Sequence, residues 1–292
     1  MILVTGGHGQ LASALASQPD VTVVGRPAFD FDRPETIDAA FAAAKPSCVI
    51  NAAAWTAVDA AETDPDGAAR ANRDGPARLA RLCAEAGIPL IHVSTDYVFD
   101  GDKGAPYVET DETGPTGVYG ATKLAGEQAV LAACPRGIVV RTAWVYSATG
   151  KNFVRTMLTL GKTRDHLRVV ADQRGCPTAA ADLADVVLGI ARAATGGWRD
   201  EYAGVFHSCG TGETTWHGFA EAIFAEAARH GSSVPTVEPI TTAEFPTPAK
   251  RPADSRLDCS KLERVFGLRQ PAWQPSLART VDRLLAPAEA DA

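Results

Sequence analysis

The chain has 292 residues, 46% of them apolar, enough for one large unit or two modest ones with a substantial core. A formal net charge of -7 argues against a nucleic-acid or anionic-membrane surface and leaves room only for a local basic pocket built from a few arginines. The six cysteines are scattered, with no Cys-x-x-Cys, so neither zinc nor a disulfide framework is suggested; no apolar run approaches the roughly eighteen residues of a membrane span and no signal peptide precedes the first apolar run, so a soluble cytoplasmic protein is expected.

Short apolar runs alternate with helix-length segments through the first half. MILVTG is followed by QLASALASQ, VTVVGR by RPETIDAAFAAAK, and SCVINAAA by a helical stretch over about 66–86; IPLIHVSTD and GIVVRTAWVY flank a helix around Tyr119. Near-continuous apolar strands separated by helices predict an α/β fold, a Rossmann-like doubly wound parallel sheet. After Tyr146 the rhythm breaks: KNFVRTMLTLGK and AADLADVVLGIARAA read as helices, LRVVADQRGCPT as strand and loop, GVFHSCG as a strand, and the proline-rich EFPTPAKRPADSRLD as irregular. The expected organisation is a dinucleotide-binding unit over 1–146 with a returning segment at about 179–209, a smaller interleaved substrate lobe from 147–178 and 210–285, and a frayed tail over 286–292.

Directly after the first strand comes TGGHGQLA, readable as Gly7-x-Gly9-x-x-Ala12 or as Gly6-x-x-Gly9-x-x-Ala12, opening a helix at about Gln10. Glycines permit the tight turn and let backbone N–H groups, those of Gln10 and Leu11 among them, approach a pyrophosphate at the helix start. The acid expected after the second strand for a ribose 2′-hydroxyl is missing; Gly25 and Arg26 stand there instead. Arginine can pair with a 2′-phosphate, which favours NADPH, against a bland reading as a solvated loop arginine. Asp30 and Phe31 either edge the adenine or belong to a helix start.

Tyr119 and Lys123 stand four apart in GVYGATKLAGE and share a helix face. A phenol is a poor acid at neutral pH until a neighbouring cation favours its ionised form, so lysine behind tyrosine makes chemical sense. Upstream, IHVSTDYVFDG ends a strand with Ser94 and Thr95, hydroxyls able to hydrogen-bond a carbonyl about to be reduced, although such clusters also form turns. Asp96 either caps that turn or binds substrate. Arg251 and Arg256, on an irregular loop of an acidic chain, are candidates for phosphate or nucleotide contacts, with ordinary surface charge as the alternative.

The glycine loop, Thr95 and the Tyr119–Lys123 pair together resemble an extended short-chain dehydrogenase/reductase. NAAAWTAVDAAE, STDYVFDG, VYGATKLAGE, RTAWVYSATGKNF, DQRGCPT and RPADSRLD, in that order, resemble the dTDP-4-dehydrorhamnose reductase family over about 2–285. The resemblance implies reduction of C4 of dTDP-6-deoxy-L-lyxo-4-hexulose, with Tyr119 as proton donor, Lys123 lowering its pKa and holding the nicotinamide ribose, and Thr95 polarising the ketone. It further implies that Ala52, Ala53 and Ala54 lie along the cofactor, that Asp96, Tyr97 and Trp144 meet the sugar, and that the Arg251–Arg256 stretch helps hold the nucleotide diphosphate; for Trp144 a core role is the alternative. Some members dimerise through magnesium held by acidic side chains, but the matching positions here are Ala14 and Ala181, with Asp182 one residue away, so no metal is expected and the chain is a monomer or homodimer. A nucleotide-sugar epimerase, another 4-keto-sugar reductase, and the non-catalytic regulatory subunit of methionine adenosyltransferase are the rival readings.

Overall fold

The computed structural model describes residues 1–286. Of the tail expected to fray, 287–292 lie outside the described residues. The first half runs β1 (Ile2–Thr5), α1 (Gln10–Leu15), β2 (Val21–Val24), α2 (Pro34–Ala44), β3 (Cys48–Asn51), α3 (Val58–Ala61), α4 (Pro65–Ala69), α5 (Gly75–Glu85), β4 (Leu90–Thr95), α6 (Val118–Ala133) and β5 (Gly137–Thr142). There follow β6 (Val145–Tyr146), α7 (Phe153–Gly161), β7 (His166–Val170), β8 (Arg174–Gly175), β9 (Thr178–Ala179), α8 (Ala180–Gly196), β10 (Gly204–His207), β11 (Thr214–Thr215), α9 (Trp216–Ala228), β12 (Thr236–Ile240), α10 (Ser260–Phe266) and α11 (Trp273–Leu285).

Six strands form one sheet in the order β2-β1-β3-β4-β5-β10, every pairing parallel. Its strands are apolar on both faces because both are covered. Ile2, Val4, Ile50 and Val140 face α1, α8 and α10, while Leu3, Val49 and Leu90 face α2, α5 and α6. The doubly wound parallel sheet read from the sequence is therefore present. Its order reverses beside β1, which has β2 on one side and β3 on the other; ligands of open α/β sheets bind outside the carboxyl ends of the strands at such a point.

The helix expected over 66–86 forms with one interruption, a π-turn at Arg70–Asp74 between α4 and α5. The wider turn accompanies a buried Asn72, whose Oδ1 accepts from the Trp55 N–H at 2.8 Å and whose Nδ2 donates to the Trp55 carbonyl at 3.2 Å and to Thr122 Oγ1 at 3.1 Å. A second core, of Tyr146, Val154, Met157, Phe219, Ile223, Phe224, Trp273 and Leu277, is built by α7, α9 and α11 beyond the end of β5. Beside it, β7 and β12 pair in parallel as a two-stranded ribbon, a partnership the proline-containing sequence of β12 does not announce.

Candidate active site

The glycine loop lies at the carboxyl end of β1. Gly6 and Gly7 have φ of +113° and +55°, and a Cβ on Gly6 would stand 3.0 Å from the carbonyl carbon and oxygen of Ala52. A Cβ on Gly25 would stand 2.5 Å from the Cα of Gly7, so the turns after β1, β2 and β3 touch through bare backbone. Gly9 caps α1 without any side-chain hydrogen bond, leaving the first-turn N–H groups to other partners. Backbone donors left free at a helix start are chemistry that suits the pyrophosphate of a dinucleotide. The Leu11 side chain is in the core, so only its backbone is available to a ligand. Gln10 instead reaches across the molecule, accepting from Ser147 Oγ and Asn152 Nδ2 at 3.0 Å each.

Arg26, largely exposed, lies with Nε 3.3 Å from Asp30 Oδ1. Asp30, in the turn that follows, is thus the carboxylate that engages the arginine. The Phe31 ring fills the space that a side chain at Gly75 would need, packed edge-on to Phe29 with centroids 5.2 Å apart. Ala52, Ala53 and Ala54 follow β3 as loop, half-buried, and Ala53 N–H donates to Thr5 Oγ1 and Asn51 Oδ1 at 3.3 Å each.

Tyr119 and Lys123 both lie on the buried face of α6. The small residues around them are explained by contact: a Cβ on Gly120 would stand 2.1 Å from the Tyr97 carbonyl oxygen, and one on Gly126 would stand 1.9 Å from that of Asn72. The helix is therefore drawn against both neighbours at positions where only glycine fits. Burial pushes the Tyr119 phenol well above its usual range, partly opposed by the Thr95 hydroxyl. Burial also lowers the Lys123 ammonium to about 8, against the pull of Glu127. Lys123 Nζ donates to the Val93 carbonyl at 2.6 Å and lies 3.5 Å from His92 Nε2.

Behind the lysine runs a chain of buried polar groups. Asn51 Nδ2 donates to His92 Nδ1 at 2.8 Å, and Thr5 Oγ1 donates to Asn51 Oδ1 at 2.5 Å, which brings the chain to the foot of the glycine loop. Burial and the neighbouring lysine hold His92 well below its ordinary range, so it is neutral. Glu127, one helical turn beyond Lys123, is taken up by Arg141 of β5 through Nε–Oε1 and Nη2–Oε2 contacts of 3.0 and 2.7 Å.

At the ends of β4 and β5 the polar groups are left open. Thr95 Oγ1 donates to Asp96 Oδ1 at 2.9 Å, while Asp96 Oδ2, Ser94 Oγ and Thr142 Oγ1 are buried with no partner among the described residues. Desolvation raises the Asp96 carboxyl to about 6, with the Ser255 and Thr95 hydroxyls pulling the other way. Trp144, just beyond β5, has φ +50° and stacks on Trp216 with centroids 3.6 Å apart and planes 8° from parallel. It also packs against Gly175, where a Cβ would meet the indole at 2.3 Å. A non-glycine residue held in the left-handed region at a cleft edge is strain that the packing sustains.

The two arginines of the irregular segment are already paired. Arg251 Nη2 lies 2.7 Å from Asp59 Oδ2 and its Nη1 donates to the Tyr97 hydroxyl at 3.3 Å. The Tyr97 ring stands edge-on to Tyr119 at 5.4 Å, so Arg251 is one residue removed from the phenol. Arg256 is held by Asp254 and Glu213, with Nη contacts of 2.7 Å to each. Asp182, next to the alanine at the magnesium position, is engaged by Ser276 and by Arg279 Nη2. Among the described residues no cluster of three or more ligands could hold a metal ion.

Sequence reasoning overlooked Asn51, His92, Asp59 and Glu127. The signals were there for two of them: His92 is a lone ring nitrogen pair inside an apolar strand, and Glu127 repeats the four-residue spacing of Tyr119 and Lys123. Asn51 and Asp59 become partners only through long-range contacts.

Comparison with known proteins agrees over almost the whole chain. Residues 1–286 match the family described as RmlD substrate binding domain. A dTDP-4-dehydrorhamnose reductase of Sinorhizobium fredii is 48% identical over 97% of this chain and 97% of its own length. The crystal structure of a dTDP-4-dehydrorhamnose reductase from Clostridium acetobutylicum superposes with a TM-score of 0.89 at 41% identity, covering 97% of this chain and 99% of that one. Another, from Bacillus anthracis in complex with NADP, gives a TM-score of 0.88 at 34% identity over 96% and 97%. The chain belongs to the RmlD family of dTDP-4-dehydrorhamnose reductases.

Proposed function

We propose that this chain is an NAD(P)H-dependent reductase that converts the C4 ketone of dTDP-6-deoxy-L-lyxo-4-hexulose to the alcohol of dTDP-L-rhamnose. The observation that carries the reading is the buried Tyr119–Lys123 pair beside a strand edge whose Thr95–Asp96 corner leaves acceptors open. The Bacillus anthracis relative with NADP supports NADPH as the reductant, with NADH also used. When bound, the reduced nicotinamide supplies the hydride that ends on C4. Gly6, Gly9, Gln10 and Leu11 hold the pyrophosphate through backbone donors, Ala52, Ala53 and Ala54 border the cofactor, and Arg26, Asp30 and Phe31 border its adenosine end.

The Thr95 hydroxyl, turned from Asp96 to the ketone oxygen, favours the negative charge that develops there. The Tyr119 hydroxyl donates its proton to that oxygen, and the Lys123 ammonium stabilises the phenolate left behind. The Val93 carbonyl fixes the lysine from the sheet side. Asp96 and Tyr97 orient the sugar, Trp144 offers it an apolar face, and Arg251 and Arg256 border the nucleotide diphosphate.

The separate cores support a division of labour in which 1–146 and 179–209 take the cofactor and 147–178 and 210–285 take the sugar nucleotide, except that α10, within the second group, packs Leu262 into the core of the first. No helix among the described residues is long and apolar enough to cross a membrane, in keeping with a cytoplasmic enzyme, monomeric or homodimeric without a metal bridge. Stoichiometric NADPH consumption with the 4-keto sugar nucleotide, and identification of the product as dTDP-L-rhamnose, tests the reading. An epimerase would return the hydride and consume no net NADPH, and a regulatory subunit would consume none at all.

A further inference from the structure

Three cysteines distant in sequence, Cys176, Cys209 and Cys259, line one surface cavity of about 380 Å³ together with Glu213, Arg256 and Arg269. Cys209 Sγ lies 3.6 Å from Cys259 Sγ, and both thiols point toward the Leu257 carbonyl, at 3.8 and 3.9 Å. Cys259 is partly exposed, whereas Cys176 and Cys209 are buried. The Cys209 thiol beside it draws the Cys176 thiol below its usual range, and that same interaction raises Cys209. The other three cysteines differ: Cys48, Cys83 and Cys134 are buried under the sheet's helices, and burial pushes each thiol up, Cys48 to about 12. The chemistry proposed above uses none of the six.

We propose that the Cys209–Cys259 pair is a thiol–disulfide exchange site for small, charged peptide disulfides, and that exchange ends in an internal disulfide between these two residues. With Arg256 taken up by Asp254 and Glu213, the half-exposed Glu213, Glu263 and Arg269 on the cavity wall match a ligand carrying both ammonium and carboxylate groups. In the first step the Cys259 thiolate attacks one sulfur of RSSR, forming a Cys259–S–SR bond and releasing RS⁻. In the second, the Cys209 thiol gives its proton to solvent and its sulfur attacks the Cys259 sulfur, releasing the second RS⁻. Two protein thiols are oxidised and one RSSR is reduced to two RSH once the released thiolates take up the two protons.

The test uses the full chain with oxidised glutathione and reads intact mass and non-reducing peptide maps, so it does not depend on the enzymatic reading. Wild type is expected to lose two hydrogens, retain no glutathionyl group and yield a Cys209–Cys259 linked peptide that dithiothreitol separates. Cys209→Ser, or Cys209→Ala if the serine fails to fold, should retain one glutathionyl group on Cys259; Cys259→Ser should form neither species at this site. Because the link closes a 50-residue separation, oxidation should also raise the thermal midpoint reversibly. A glutathionyl group that persists on Cys259 of the wild type, a disulfide joining other cysteines, or no reaction in the folded protein overturns the proposal.

Discussion

The carboxyl ends of β4 and β5 and the segment 251–258 are both polar and largely buried, yet they handle charge in opposite ways. In the segment, Arg256 is matched by Asp254 and Glu213, and Arg251 by Asp59. At the strand ends, Ser94 Oγ, Asp96 Oδ2 and Thr142 Oγ1 lack partners among the described residues, and Tyr119 and Lys123 lie in surroundings that disfavour their charged forms. Saturated polar groups hold a loop in place, whereas unsaturated ones cost stability and are kept where a ligand completes them. The contrast assigns rigidity to the segment and chemistry to the strand ends, and each can be broken separately.

The largest expected effect is on the segment's stability. Arg256→Ala strands the buried Asp254 carboxylate and should cost roughly 3 kcal/mol, read as a lower urea midpoint, whereas the half-exposed partner Glu213 should cost much less when changed to Gln. Equal small losses for both would mean the segment's charges are not what holds it.

On the strand-end side, Tyr119→Phe removes the proton donor and leaves the packing, so kcat should fall at least about 100-fold, or about 2.7 kcal/mol, with NADPH affinity unchanged by fluorescence titration. Near-normal turnover would remove Tyr119 from the chemistry. Gly126→Ala probes the helix that carries it: the new methyl would stand 1.9 Å from the Asn72 carbonyl oxygen and should cost about 1–3 kcal/mol. Gly196→Ala, where nothing lies within 4 Å, serves as the mild control in the same denaturation series.

The pH profile sharpens the comparison further. Lys123, lowered to about 8, is charged below that value and loses its proton above it. Since the charged form stabilises the phenolate, kcat for ketone reduction should hold up to about pH 8 and then fall, approaching tenfold per unit. Lys123→Arg, which keeps its charge, should lose that limb whatever its absolute rate. The smallest effect belongs to Arg26: exposed and already near Asp30, it should contribute a few-fold preference for NADPH over NADH, about 1 kcal/mol or less, that Arg26→Ala removes in kcat/KM ratios. An unchanged ratio would mean that Arg26 faces solvent in the working enzyme.

Local sequence was enough for whatever depends on period and spacing. The parallel sheet was legible because its strands are short apolar runs, the phosphate-type turn because glycines follow β1 directly, and the tyrosine–lysine pair because four residues complete a helical turn. Tertiary structure decided what those groups touch. It brought Asn51 and His92 behind Lys123 from neighbouring strands, set Asp59 against Arg251 across 192 positions, and interrupted one expected helix with a π-turn around a buried asparagine. It also made Gly120 and Gly126 obligatory, since their need for bare backbone comes from the carbonyl oxygens of Tyr97 and Asn72 and not from any turn of their own. Periodicity is a property of consecutive residues, whereas burial, pairing and the pKa values that follow from them depend on segments that meet only when the chain has folded.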